Sequence, residues 1–500
     1  MTLNDIYLLS PELSMVILAA LLLVVDLCFH RKIYIAPIAI VGLAIPLALS
    51  IFLWLDLDST TGGLVNDGLL EKTFTVDRFS IFFKLLLIGT VATVILISRD
   101  HARRFRSFEA EFYSLLLFST SGMMLLSSSI ELVTIYVSLE LTALPVAALV
   151  AFSRDGRSSE AGLKFLVLSG ISSALLLYGM VLIYGLTGTT VLTEISIRLS
   201  TIGNSTDFLG GSYVLLFGIV LVIAGFGFKI TAFPFQMWAP DVYEGAPTPI
   251  TTFLSVASKA AGFAVILRVL YTAFNIPDVA VEWSYIFAIL AALSMTIGNL
   301  IAIAQKNIKR MLAYSTIAHA GYIMVGVAAY PAANQAGLGM DGGASGVLFY
   351  LATYALGNLV AFSAIIAVSS YLGNDRLDSY SGLARRAPLI AIPLAFSMIS
   401  LTGLPPTAGF MAKIYIFGAA VDNGLAWLAI IGVLNSVLSA YYYFRVVKLM
   451  VLSPPLQDKP VKLDKPVGLA LMVTTIGVLL FGIYPAPLIE LARSAVSSLL

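Results

Sequence analysis

Apolar residues in this chain fall into long, nearly uncharged runs, and that pattern decides what it can fold into. The runs lie near 11–29, 33–55, 79–98, 111–127, 130–152, 160–187, 212–238, 250–272, 283–304, 311–329, 345–371, 388–420, 425–449 and 466–488. A run of about 18 or more apolar residues reads as a membrane-spanning helix, because the backbone must satisfy its own polar groups in hydrocarbon. The expected fold is therefore an all-α integral membrane protein with about fourteen transmembrane helices. Composition agrees: 59% of the 500 residues are hydrophobic and 11% charged, against about a quarter charged in soluble domains. Too few polar side chains are present to cover several soluble domains. Met1 to Ser10 lacks a basic start, and the run from Leu13 to Phe29 leads straight into further spans. That run is expected to be a retained first helix rather than a signal peptide.

Several chemistries are excluded by the same counts. The formal net charge is +1 and no basic patch accompanies a recognition motif, so no nucleic-acid partner is expected. The chain has one cysteine, Cys28, and three histidines, His30, His101 and His319. An iron–sulfur cluster needs about four thiolates, and a structural zinc site about four Cys or His ligands. Neither can be built from these residue types alone, so if electrons are involved, other subunits carry them. No phosphate loop or nucleophile–base motif is present.

Loop charges set the expected orientation. Basic residues cluster at Arg31-Lys32, Arg99 to Arg106, Arg154 to Arg157, Lys306 with Lys309 and Arg310, Arg376 to Arg386, and Lys448 to Lys465. With fourteen spans all of these fall on one side. The loops between them are acidic or neutral, with Asp56, Asp58, Asp67, Glu71, Asp77, Glu194, Asp207, Asp278, Glu282, Asp341 and Asp422. Basic loops stay in the cytoplasm, which places both termini outside. The stretch Asp241 to Glu244 is the exception, acidic on the basic side.

Four ionisable residues interrupt the apolar runs. They are Glu140 in IYVSLELTALPVAAL, Lys229 in IVLVIAGFGFKITAFPF, Lys259 in TTFLSVASKAAGFAVI and Lys413 in LTGLPPTAGFMAKIYIF. A charge at mid-membrane costs about 2.5 kcal/mol or more, so such residues are usually functional or paired. The middle of a span is about 15 Å from either surface, too far for a lysine to snorkel. One carboxylate cannot neutralise three ammonium groups, and burial beside a like charge disfavours the charged form. A lysine poised between charged and neutral is a proton-relay element; the alternative is a buried ion pair that only orders the bundle. Pro234 lies five residues after Lys229, and Pro405-Pro406 lies just before Lys413. Each proline breaks its helix beside a buried lysine, where a simple kink is the plainer alternative. His319 suits proton transfer or is a hydrogen-bonded core histidine beside Tyr314, Ser315, Thr316 and Tyr322. Lys164 pairs with Glu160 at helical spacing, either as a snorkelling surface pair or as part of the site. Asp26 reads as an interface residue.

A weak internal repeat joins the two broken runs: residues 225–230 read GFGFKI and residues 409–414 read GFMAKI. Interrupted helices in corresponding positions are the pattern of inverted-repeat transporters. The expected organisation is a three-helix segment over 1–110, one repeat over 111–272, a second over 283–449, and a loop with a C-terminal helix over 450–500.

Three segments carry a family resemblance. The run from Lys229 to Arg268, KITAFPFQMWAPDVYEGAPTPITTFLSVASKAAGFAVILR, resembles the proton-translocating signature of the antiporter-like membrane subunits of respiratory complex I (proton-pumping NADH-quinone oxidoreductase) and of multisubunit sodium/proton antiporters. LAYSTIAHAGY and LTGLPPTAGFMAKIYIF match as well, and LELTALP with EAGLKFLVLSG is similar to the subunit N, or subunit 2, branch. The resemblance covers nearly the whole chain and implies two inverted five-helix repeats with discontinuous seventh and twelfth spans. It implies functional roles for Glu140, Lys164, Lys229, Lys259, His319 and Lys413. One departure is Gln236, where related subunits often have histidine. The implied function is proton translocation through a Glu140–Lys229 switch, then Lys259, His319 and Lys413, coupled to quinone reduction elsewhere. NADH, FMN, iron–sulfur clusters and quinone are then expected in partner subunits, with no cofactor in this chain. The implied partners are the other membrane subunits of a complex I-type assembly, the bilayer and protons. The implied location is a bacterial plasma membrane, with a thylakoid as the alternative. Two rivals remain at this level: an Mrp-type sodium/proton antiporter subunit without redox chemistry, and a structural subunit that pumps nothing.

Overall fold

A computed structural model of the chain describes residues 3–28, 34–59, 72–103, 108–203, 208–330, 342–455 and 463–499. The predicted loop residues His30, Arg31, Lys32, Asp67, Glu71, Arg104, Arg106, Asp207, Asp341 and Lys459 lie outside these. The described residues are almost entirely helical. In chain order the helices are α1 (Leu3–Leu8), α2 (Ser10–Cys28), α3 (Ile35–Gly42), α4 (Ala44–Ser59), α5 (Arg78–Ala102), α6 (Glu109–Ser128), α7 (Leu132–Val150) and α8 (Gly156–Thr187). They continue with α9 (Leu192–Gly203), α10 (Phe208–Ile230), α11 (Trp238–Gly245), α12 (Thr248–Phe253), α13 (Lys259–Thr272), α14 (Pro277–Ala304) and α15 (Ile308–Ala328). The last are α16 (Gly342–Leu372), α17 (Leu383–Arg386), α18 (Pro388–Thr402), α19 (Ala408–Asp422), α20 (Ala426–Leu452), α21 (Lys465–Ile483) and α22 (Ala486–Ser497).

Among the described residues, twelve helical segments are long and apolar enough to cross a membrane. Two further runs complete the fourteen read from the sequence. Helix α6 has 20 residues, but six serines and threonines and two glutamates dilute its hydropathy. The run 388–420 is split into α18 and α19, each too short alone. Large apolar side chains such as Leu27, Met237 and Val41 stand exposed on the outside of the bundle, as lipid requires and water would not tolerate.

The contacts sort the loops into two faces. On one, Asp155, Glu244, Lys309, Asp375 and His101 line a common cavity, and Asn307 bridges to Arg376. These belong to the basic loops. On the other, Thr75 N–H donates to Ser128 O at 2.8 Å and Leu132 N–H to Thr190 O at 2.9 Å. There Arg268 forks onto both Asp77 oxygens at 2.8 and 2.9 Å, and Asp77 caps α5. These belong to the acidic loops.

Two breaks fall where the prolines predict them. Helix α10 ends at Ile230, four residues before Pro234, with Thr231 left-handed at φ 62°. A β-branched residue in that region is strained. Helix α18 ends at Thr402 and is capped by Gly403 at φ 87°, the usual role of glycine there. Both breaks contain a cis X-Pro peptide, Phe233-Pro234 and Pro405-Pro406. The two similar strings sit on opposite sides of their breaks: Lys229 precedes its break in α10, and Lys413 follows its own in α19. A third irregularity was not foreseen. Residues Leu254–Ser258 form a π-helical turn between α12 and α13, directly before Lys259.

Helices α14 and α15 are packed through glycine. A Cβ on Gly321 would come within 2.7 Å of Met295 N and 2.9 Å of Ala291 O, and one on Gly298 within 2.8 Å of Ala318 N. Small residues allow such approach where no hydrophobic force drives helices together. Gly321→Val is therefore expected to lower stability by about 1–3 kcal/mol, the range for overpacking. Gly170→Ala, with nothing within 4 Å of the added carbon, is expected to be neutral or slightly stabilising; thermal unfolding of the purified chain in detergent compares the two.

Candidate functional site

A helix that stops inside hydrocarbon strands its last carbonyls. The two breaks solve this differently. At the first, Gly227 O accepts from Ala232 N–H at 2.8 Å and Phe228 O accepts from Trp238 Nε1 at 3.0 Å. At the second, Lys413 Nζ donates to Thr402 O at 2.7 Å and to Ser436 Oγ at 3.0 Å. The Lys413 ammonium also lies over the Tyr322 ring, 4.5 Å from its centroid. A cation at a helix C-terminus meets the negative end of the macrodipole, so the break itself helps to solvate this lysine.

Lys229 is the penultimate residue of α10 and is 5% exposed. Its Nζ donates to Thr142 Oγ1 at 2.6 Å, two residues beyond Glu140 on α7. Glu140 is half-buried and accepts a hydrogen bond from Ser173 on α8. The Glu140 charge acts on Lys229, yet each group has its own neutral partner. The expected pair is therefore brought together as neighbours, with a hydroxyl taking the place of direct contact. The Lys229 stem passes Gly262 of α13, where an added Cβ would meet it at 3.3 Å.

Lys259, three residues before that glycine, is 2% exposed. It donates to the Thr316 carbonyl of α15 and lies 5.4 Å from the centroid of the Tyr354 ring. Among the described residues no carboxylate lies within ion-pairing distance of Lys259 or Lys413. From Lys259 to Lys413 the interior is lined with side-chain hydroxyls and amides. Thr316 Oγ1 and Tyr354 OH are 3.0 Å apart. His319 Nδ1 meets Tyr350 OH at 2.8 Å, and its Nε2 meets Tyr443 OH at 3.2 Å. Tyr443 is bonded to Ser315. Tyr442 OH donates to Asn299 Oδ1 at 2.9 Å, and Asn299 Nδ2 donates to Tyr322 OH at 3.2 Å. Tyr322 then lies under Lys413. Glu140, Lys229, Lys259, His319 and Lys413 thus form one lateral series across the bundle interior.

The basic-loop face carries a polar cavity of about 600 Å³, lined by His101, Asp155, Glu244, Lys309 and Asp375, and it reaches Thr248 at the start of α12. Thr248 and Thr252 of α12 share one face at four-residue spacing, and Ser255 follows within the π-helical turn before Lys259. Thr252 and Ser255 are fully buried.

The profile described as NADH:quinone oxidoreductase/Mrp antiporter, TM matches residues 129–439. The chain belongs to that family. It is 43% identical over 487 residues to NADH-quinone oxidoreductase subunit N of Dehalococcoides mccartyi, spanning 97% of this chain and 98% of the relative. It is 40% identical over 509 residues to NAD(P)H-quinone oxidoreductase subunit 2 of Trichormus variabilis, spanning 98% and 92%. Among solved structures, it matches a chain of respiratory complex I from Thermus thermophilus with bound aureothin at TM-score 0.76 and 30% identity, over 97% of this chain and 99% of that one. A chain of the Mrp complex from Dietzia shares the fold at TM-score 0.85 and 20% identity, over 100% of this chain and 98% of that one.

Lys164 stands apart from the series. Its side chain is 43% exposed and pairs with Glu160 at 2.6 Å and Asp241 at 3.1 Å on the basic-loop face. Gln236 is buried with its Oε1 unpartnered. Among the described residues no group of three or more His, Cys, Asp or Glu side chains gathers to hold a metal ion. The one cysteine, Cys28, is exposed, so this chain's residues do not fit an iron–sulfur cluster.

Sequence reasoning missed part of the interior. Tyr350 and Tyr354 lie four residues apart on one face of α16, and Tyr442-Tyr443 and Asn299 lie inside spans; polar groups in apolar runs were the available signal. It also undercounted the buried charges. Lys84, in FSIFFKLLLIG, is fully buried and pairs with Glu12 at 2.7 Å. Thr142→Val removes the acceptor of a buried ammonium and is expected to destabilise the chain by about 1–3 kcal/mol. In a Lys229→Met background the same change is expected to be close to neutral; a double-mutant cycle by thermal unfolding checks this.

Proposed function

We propose that this chain is a proton-translocating membrane subunit of a complex I-type NAD(P)H- or ferredoxin:quinone oxidoreductase. The observation that carries it is the lateral series of one acid, three buried lysines and a histidine, with tyrosine hydroxyls and Asn299 between Lys259 and Lys413. Identity of 40–43% over nearly the full length to subunits N and 2 of NAD(P)H-quinone oxidoreductases supports the redox assembly. The Mrp likeness is carried by fold at 20% identity, which favours the redox reading over ion exchange. NADH, FMN, iron–sulfur clusters and quinone then belong to partner subunits. With basic loops in the cytoplasm, both termini face outward from a bacterial plasma membrane.

The mechanism follows from charge. Lys259 holds its proton on a backbone carbonyl and an aromatic face, so it can release it without breaking an ion pair. The cavity and the Thr248–Thr252–Ser255 stripe supply it from the basic-loop side. His319, with a tyrosine hydroxyl on each ring nitrogen, can accept a proton at one nitrogen and give one up at the other. Lys413 receives the proton at the second break and passes it to the outer face. The Glu140 charge stabilises protonated Lys229; drawing Glu140 away weakens that hold, and the released proton repels its neighbour along the series. Because Glu140 is half-buried on α7, a neighbouring subunit can act on its charge.

Lys229→Ala tests this in the assembled complex reconstituted in vesicles. Proton movement driven by the electron donor is expected to fall by roughly tenfold or more, the scale of deleting a positioned proton-transfer group. Unchanged pumping would sink the proposal, and sodium-dependent exchange with no electron donor present would favour the antiporter reading instead.

A further inference from the structure

We infer that Lys164, Arg310 and Lys309 form a clamp on the short helix α11, and that through α11 they position the break carrying Lys229. Lys164 is then a positioning residue rather than a proton carrier. The inference rests on the relay proposed above.

The clamp is visible bond by bond. Asp241 of α11 receives Lys164 of α8 at 3.1 Å and Arg310 of α15 at 2.9 Å, on its two different oxygens. Glu244, one turn on, receives the same Arg310 nitrogen at 3.0 Å and Asn307 Nδ2 at 3.5 Å. Lys309 Nζ donates to the carbonyls of Glu244 at 3.2 Å and Ala246 at 2.8 Å, meeting the stranded carbonyls at the C-terminal end of α11. Lys309 is itself 3.8 Å from Asp375. Helix α11 has only eight residues, too few to hold its place by its own hydrogen bonds. This is also why acidic residues occur on the basic side: the Asp241 and Glu244 carboxylates anchor two cations from neighbouring helices, Lys164 of α8 and Arg310 of α15.

The other end of α11 reaches the site. Trp238, its first residue, donates from Nε1 to Phe228 O. Its ring packs on Phe165 at 5.1 Å and Phe228 at 5.3 Å between centroids. Phe228 is the residue before Lys229. Asp241 lies three residues after Trp238, so a shift of α11 transmits within one helical turn to the bond that satisfies the last turn of α10. Thr231, strained in the left-handed region, lies between the two helices and requires its surroundings to hold it there.

A clamp needs a fixed cation at position 164, whereas a carrier needs a group that can lose its proton. Arginine separates the two, because it does not deprotonate in proteins and binds carboxylates at least as well as lysine. Two readouts are used on the assembled complex: donor-driven pumping in vesicles, and amide hydrogen exchange over residues 238–245. Lys164→Gln is expected to slow pumping severalfold and to speed exchange in α11. Lys164→Arg is expected to leave both near the parent values. The exchanged pair Lys164→Asp with Asp241→Lys is expected to recover much of what Lys164→Gln loses. Pumping lost equally in Lys164→Arg and Lys164→Gln would overturn the inference and make Lys164 a carrier. Unchanged exchange in Lys164→Gln would overturn it too, whatever the pumping shows. Because exchange is read without turnover, failure of the clamp is distinguishable from failure of the Lys229 relay.

Discussion

A carbonyl left without a partner in hydrocarbon has no water to turn to, and both unusual regions of this bundle are arranged around that fact. The first break meets its carbonyls with a backbone turn and the indole of Trp238. The second meets them with the ammonium of Lys413. A buried lysine stands at each interruption, Lys413 bonded to the broken helix end itself and Lys229 bonded instead to Thr142 of α7. At the second break the helix end and the lysine are thus one feature: the helix end makes the charge tolerable, and the charge makes the helix end tolerable. Lys259 shows a variant of the same solution, with a π-turn immediately before it and a carbonyl of α15 as its acceptor.

Between these points the interior is filled by tyrosines, Asn299 and His319. Their hydroxyl and amide groups satisfy one another while their rings keep the core packed. Such a series can reverse its hydrogen bonds without moving its backbone, which suits it to transfer. The two faces differ in kind. On the basic-loop side a polar cavity reaches Thr248 at the start of α12. On the acidic-loop side Arg268 and Asp77 lock α13 to α5, with backbone pairing between the neighbouring loops. The asymmetry matches intake from one face and lateral transfer before exit.

Most of the architecture was legible in the sequence, because hydrophobic run length and proline position are local properties. The fourteen runs, the two breaks and the four mid-span ionisable groups were all read from single stretches. What escaped depends on partners distant in sequence. Tyr443 and Tyr350 matter because both meet His319, and nothing local to either shows that. The π-turn before Lys259 leaves no proline or glycine mark. Asp241 and Glu244 looked like a violation of the loop-charge pattern, and only their pairing with Lys164 and Arg310 accounts for them. Lys84 had a local signal, a lone lysine in an apolar run, and was overlooked beside the lysines that lie next to prolines. Its Glu12 partner, 72 residues away, made it a closed pair.

The central claim is that the buried lysines carry protons in series and do more than order the bundle. The most direct measurement is the ratio of protons moved to electron donor oxidised, in vesicles holding the intact complex with Lys259→Met. Methionine matches the four-atom apolar stem of lysine and removes the ammonium with its exchangeable protons. The account predicts a clear fall in that ratio while the complex remains assembled. A ratio equal to that of the parent complex would contradict it, and would leave Lys259 as a packing element held between Thr316 and Tyr354.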